Sequence, residues 1–171
     1  MNEATTPRVY VGTYAKYNNG SIAGAWMDLG KYDDKQAFLE ACAELHKDEA
    51  DPEYMFQDFE NFPRALYNES FLDDRLFEYA QLDDEQREIV DAYADALGQF
   101  PDDLEDAEEQ LFCQLDYSHS FDDENAMADY IIDNGLIEIP ENLRGYIDYQ
   151  AVGRDWLQDM YVSNGYVFTN N

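Results

Sequence analysis

Asp84, Glu88, Asp91 and Asp95 recur at intervals of four, three and four residues within DDEQREIVDAYADAL, the stretch from Asp83 to Leu97. At 3.6 residues per turn these four carboxylates share one narrow stripe of a helix, spaced about 4.5 to 6 Å along its axis. That spacing is close to the separation of successive phosphates on a DNA strand. Such a row can do recognition and not reaction: it offers basic side chains the contacts that a phosphate backbone offers, blind to base sequence. Ile89, Val90, Tyr93, Ala96 and Leu97 point the other way, towards a core, and Arg87 is the one base expected on the outer face. Like charges three or four apart weaken a helix by roughly 0.2 to 0.5 kcal/mol per pair. A surface under no other demand would intersperse lysine here.

Two more acidic clusters open helices. Asp102, Asp103, Glu105, Asp106, Glu108 and Glu109 fill six of eight positions, and Asp122, Asp123 and Glu124 stand together further on. A helix N-terminus favours negative side chains by about 0.3 to 1 kcal/mol each. Six carboxylates exceed that structural reason.

Other chemistries find less support. The chain has no HExxH, GxSxG, GxxxxGK[ST] or GxGxxG pattern, and its two histidines, His46 and His119, read as surface or half-buried residues. With 39 acids, paired carboxylates arise by chance and do not point to glycoside hydrolysis. The acidic clusters lack the EF-hand spacing, and helix starts spread carboxylates outward instead of converging them on a cation. No catalytic role, cofactor or metal is expected. Cys42 and Cys113 lie in apolar contexts that read as helical, without a CxxC or Cys/His companion, and suit buried reduced thiols in a cytoplasmic protein.

The elements that must position these residues can be taken in chain order. Arg8 to Tyr14 and Ser21 to Leu29 read as a β-hairpin about Tyr17-Asn18-Asn19-Gly20. Asp33 with Gln36 predicts a capping box for a helix to about Glu49, and Glu53 to Asn61 a third strand. After Pro63 come helices at about Glu69 to Tyr79, at Asp83 to Leu97 with Asp83 as cap and Gln86 as its partner, and at Asp102 to Leu115. Asp122 caps a helix to Asn134, stopped by Gly135; an extended link runs to Pro140, and a helix covers Asp148 to Met160. Tyr161 to Thr169 forms a hairpin about Asn164-Gly165. The class is α+β: an elongated chain of three small domains, 1–62 sheet plus helix, 63–103 acidic helices, and 104–171 mixed.

The net charge is −29 over 171 residues, equal to roughly 50 Å, or about 15 base pairs, of duplex. It excludes nucleic acid and anionic membrane as partners, which need the opposite sign, and selects a basic surface. A halophilic surface would share the acid excess and scarcity of lysine, and composition alone does not separate it from mimicry; against it stand 26 aromatic residues. A general acidic decoy or chaperone for basic proteins is the other alternative. No apolar run reaches membrane-spanning length.

Several segments carry a resemblance. Pro7-Arg8-Val9-Tyr10-Val11-Gly12-Thr13-Tyr14, with Tyr17-Asn18-Asn19-Gly20 and Gly24-Ala25-Trp26, resembles the start of the ArdA antirestriction proteins, as does Phe59-Glu60-Asn61-Phe62-Pro63. Met127 to Gly135, Ile139-Pro140-Glu141-Asn142-Leu143, Tyr146-Ile147-Asp148-Tyr149 and Gly153-Arg154-Asp155 resemble that family's antirestriction region and the segment C-terminal to it. The resemblance implies a cytoplasmic protein of plasmids and conjugative transposons that blocks type I restriction-modification enzymes. It would occupy their DNA groove, on the methyltransferase core with its specificity subunit. It also implies a curved homodimer of three-domain chains, with the dimer contact near the antirestriction region. Two copies, at −29 each, match about 30 base pairs. Met127, Tyr130, Ile131, Gly135, Leu136, Ile139, Pro140, Leu143, Tyr146 and Tyr149 are mostly apolar and read as core plus dimer surface. The three acidic clusters are the expected phosphate mimics.

Overall fold

A computed structural model describes residues 6–169. The fold is α+β, and the chain divides into two compact units, Met1–Arg87 and Glu88–Asn171.

In the first unit, β1 (Arg8–Thr13) lies between β2 (Ala25–Asp28) and β3 (Tyr54–Glu60), antiparallel to both. Val9 and Val11 alternate inward and are fully buried, as are Phe38 and Cys42 of α2 (Lys35–Leu45). The rings of Phe56 and Phe77 lean on Phe38, the latter from α3 (Arg75–Gln81).

Several local expectations shift. The hairpin turn is instead a helical turn, α1 (Tyr14–Asn18): Thr13 Oγ1 accepts from the Lys16 amide, and Asn19 and Gly20, the latter at φ +80°, end it. Asn-Gly serves a helix C-terminus as readily as a type I′ turn, because both need a residue tolerant of positive φ. Ser21 to Gly24 therefore stay outside the strand. The cap of α2 is Asp34 and not Asp33, since Asp34 Oδ1 accepts from the Ala37 amide at 2.8 Å. That helix ends at Leu45, short of Glu49. Glu69 to Asp74 are not helical: the Glu69 carbonyl accepts from the Phe56 amide on β3, and Asp73 takes the Arg75 amide where α3 begins.

His46 is buried, 1% exposed, beyond the surface or half-buried placement expected. Its Nε2–H donates to the Val11 carbonyl (3.2 Å), and its Nδ1 accepts from the Lys16 ammonium (2.9 Å), which also pairs with Asp48 and Glu49. A structural role accounts for it.

The second unit carries α4 (Asp84–Leu97), α5 (Glu105–Glu109), β4 (Leu111–Gln114), α6 (Asp123–Asp133), α7 (Tyr149–Leu157), β5 (Met160–Ser163) and β6 (Tyr166–Thr169), α4 beginning just before the division. Its sheet runs β4-β6-β5, all antiparallel, over a core that includes Cys113, Leu115, Met127, Ile131 and Val167. Asn164 (φ +50°) and Gly165 (φ +81°) make the expected tight turn.

The largest correction is at 102–115, where a short helix gives way to a strand after Glu109. Leu104, Ala107, Leu111 and Leu115 fit a helical period, but Leu111, Cys113 and Leu115 fit a period of two equally well. Pairing with β6, Leu111 opposite Phe168 and Cys113 opposite Val167, decides between them. Cys113 is thus a strand residue. Burial pushes the Cys42 thiol up to about 12 and the Cys113 thiol to about 11, so both are poor nucleophiles. Beyond Gly135 the chain makes a 3-10 segment at Glu141–Tyr146, and the expected helix from Asp148 to Met160 stops at Leu157. No helix among the described residues is long and apolar enough to cross a membrane.

Candidate functional site

The acidic stripe rests on a helix whose start is locally fixed. Asp83 Oδ1 accepts from the Gln86 amide (2.8 Å) and Gln86 Oε1 from the Asp83 amide (3.1 Å), the reciprocal capping box that the sequence predicts. Ile89, Val90, Ala92 and Tyr93 are buried, and the Tyr93 ring meets Phe168 edge-on at 5.4 Å. Asp84, Glu88, Asp91 and Asp95 are all exposed.

Arg87 does not share that outer face. It is only 7% exposed and donates from Nε to the Tyr79 carbonyl (3.2 Å) and from Nη2 to the Ala80 carbonyl (2.9 Å), satisfying the C-terminal end of α3. It also forms a 3.6 Å ion pair with Asp84. With Arg87 turned in, the stripe presents acids alone; from there to Arg144 the sequence has 17 acids and no lysine or arginine. Two stripe carboxylates are held in place: the Tyr166 hydroxyl donates to Glu88 (3.1 Å) and the Ser163 hydroxyl to Asp95 (2.6 Å), both from the β5–β6 hairpin. Neither contact is legible in the sequence, because β5 and β6 lie some seventy residues away along the chain.

The second cluster surrounds the single turn of α5. Asp102, Asp103, Glu105, Glu108 and Glu109 are exposed and Asp106 is half-buried, while Leu104 and Ala107 turn inward. In the third cluster, Asp122 caps α6 by accepting from the Asn125 amide (2.8 Å), and Asp123 accepts from the Tyr117 hydroxyl (2.6 Å). Glu124 is half-buried. Asp122 and Asp123 thus have structural work as well as charge.

The apolar region of 127–149 splits in two. Met127 and Ile131 are fully buried, and Tyr130, Ile139 and Tyr149 are half-buried, Tyr130 edge-on to Phe112 at 5.8 Å. Gly135, Leu136, Pro140, Leu143 and Tyr146 face outward, Tyr146 being 87% exposed. Among the described residues no three or more of His, Cys, Asp and Glu converge as a metal site.

Compared with known protein families, residues 9–168 match the one described as Antirestriction protein (ArdA). The chain belongs to the ArdA antirestriction family. ArdA membership implies an antirestriction function, and ArdA proteins are a family of inhibitors and not of enzymes. No curated protein matches this chain. Gly153, in the segment that resembles ArdA, has a physical reason here: it is buried where α7 lies directly against the backbone of α6 at Glu124.

Charge of this density makes stability depend on pH in two opposed ways. Several described carboxyls sit below the ordinary carboxylate range, among them Asp48 through the Lys16 ammonium, Asp73 through the Arg75 guanidinium, Asp116 through the Ser118 hydroxyl and Asp122 through the Asn125 amide. A depressed folded-state value contributes stability that is present above the unfolded value, about 4, and is lost as pH falls through the lower folded values. Above that window, lowering pH reduces the net negative charge and eases self-repulsion. At low ionic strength the urea midpoint is therefore expected to rise from pH 7 to about 5 and to fall below about 4. A midpoint declining steadily from pH 7 would show that self-repulsion does not limit stability.

Proposed function

We propose that this protein acts as a phosphate-backbone mimic that competitively occupies the DNA groove of a type I restriction-modification enzyme and so protects incoming mobile-element DNA. The observation that carries the reading is the stripe of α4, four exposed carboxylates with their one neighbouring base turned inward. The acids of 102–109 and 122–124 extend the negative surface. Enzyme clefts that grip a duplex do so with Lys and Arg on phosphates; the target here is the methyltransferase core with its specificity subunit, and no nucleic acid is bound. The exposed Leu136, Leu143 and Tyr146 suit a contact between two copies, and a cytoplasmic homodimer is part of the proposal. So is the layout 1–62, 63–103 and 104–171: both boundaries fall in irregular chain between elements, after β3 and before α5.

Competition tests it. Increasing protein should displace a DNA duplex from a purified type I methyltransferase, with apparent affinity falling steeply as salt rises. Unrelated basic DNA-binding proteins should be displaced far less. Equal displacement of all of them would favour a general acidic decoy, and no displacement from the type I enzyme at low salt would end the proposal.

A further inference from the structure

Phe121 is 103% exposed, more than any other large apolar side chain described. It stands immediately before Asp122, the cap of α6. A hydrophobic residue there ordinarily folds over the side chain four positions into the helix and staples the entering chain. That position is Ala126, which is buried under other residues, and Phe121 is absent from the cluster around it. The ring therefore adds nothing to the core.

Both of its chain neighbours, by contrast, are anchored through their side chains. On one side Ser120 is buried and donates its hydroxyl to Asp129 (2.6 Å); on the other Asp122 accepts from the Asn125 amide (2.8 Å). An aromatic ring with two side-chain torsions, displayed between two anchored residues, loses little entropy when it binds. Close to it in the chain are the exposed carboxylates Asp116, Asp122 and Asp123. An apolar surface would receive the ring but repel the carboxylates that follow it directly in the chain. A cleft lined with arginine accepts both, the carboxylates as ion pairs and the ring against a guanidinium plane.

We propose that Phe121 is an apolar anchor that enters the arginine-bearing DNA cleft of the restriction enzyme among the phosphate-mimicking acids. Charge repeats along the mimic and fixes no register; a ring seated in a pocket would fix one. The inference rests on the cleft-occupying function above and adds a component of binding that salt does not screen.

Binding to a purified type I methyltransferase, measured at several salt concentrations, separates the two ideas. Phe121→Ala should lower affinity about tenfold at every salt concentration, with the slope of log K against log salt and the urea midpoint unchanged. Phe121→Trp should bind within a few-fold of the unaltered protein. If the unaltered protein and Phe121→Ala bind equally, the anchor is overturned while the cleft reading stands. If neither binds at low salt, both fall. A lowered urea midpoint for Phe121→Ala would assign the ring to folding and overturn the anchor as well.

Discussion

Converting Asp84, Glu88, Asp91 and Asp95 together to their amides is expected to weaken binding to a type I enzyme by about 1 to 4 kcal/mol while leaving the fold as stable or more so. Each exposed ionic contact contributes roughly 0.2 to 1 kcal/mol, so four together span from about fourfold to several hundred-fold in affinity. Single amides should each cost at most a few-fold, because the charge is spread over 39 acids and no one of them is indispensable. The salt dependence should become shallower with each substitution. Stability runs the other way, since the three like-charge pairs along the stripe each cost about 0.2 to 0.5 kcal/mol. Amides also keep the acceptor oxygens that receive the Tyr166 and Ser163 hydroxyls. Against these gains stand the Asp84–Arg87 pair, worth little at its exposed side, and the favourable place of Asp84 in the first turn of α4. A quadruple variant that binds as well as the unaltered protein would remove the stripe from the contact surface; one that loses binding only because it unfolds would show a matching fall in urea midpoint.

Gly153→Ala is expected to destabilise the second unit by about 3 kcal/mol or more. A Cβ at this position would lie 1.7 Å from the Glu124 carbonyl oxygen, 2.6 Å from its carbon and 3.1 Å from the Ala128 nitrogen. All three are backbone atoms of α6, so no side-chain rotamer relieves the overlap and the helices must part. Met127 and Ile131 on α6 pack with Val152, Trp156 and Leu157 on α7, and that packing opens with them. Alanine gains up to about 1 kcal/mol of helix propensity over glycine, too little to compensate. Gly145→Ala is the matched control: a Cβ there meets nothing within 4 Å, and its urea midpoint should stay within experimental spread of the parent. Equal midpoints for the two variants would mean that α6 and α7 do not lie in contact at Gly153.

How far the sequence alone reaches can be judged helix by helix. Asp83 with Gln86, Asp122 before its helix, and Asn164-Gly165 between strands each settle their geometry within four residues, and each stands where the sequence predicts it. Those signals are local: a carboxylate meets an amide two or three residues on, and a turn asks only for positive φ. The acidic face of α4 is legible for the same reason, since 3.6 residues per turn places Asp84 through Asp95 without reference to anything else. Where two local solutions compete, distant chain decides. Leu111 to Leu115 satisfy both a helical and an alternating pattern, and the open edge of β6, more than fifty residues on, makes them a strand. Asn19-Gly20 could close a hairpin or end a helix, and the Thr13 cap selects the helix.

Within the candidate site, sequence by itself determined the number, sign and helical row of the carboxylates, together with the apolar face that seats them. Tertiary structure alone decided that Arg87 turns inward to the carbonyls of Tyr79 and Ala80, that Tyr166 and Ser163 hold Glu88 and Asp95, and that Phe121 stays uncovered. Helical period fixes an angle around an axis from near neighbours. Which carbonyl, hydroxyl or empty space a side chain then meets is fixed by segments far away along the chain, and burial, which has no period of its own, brings them there.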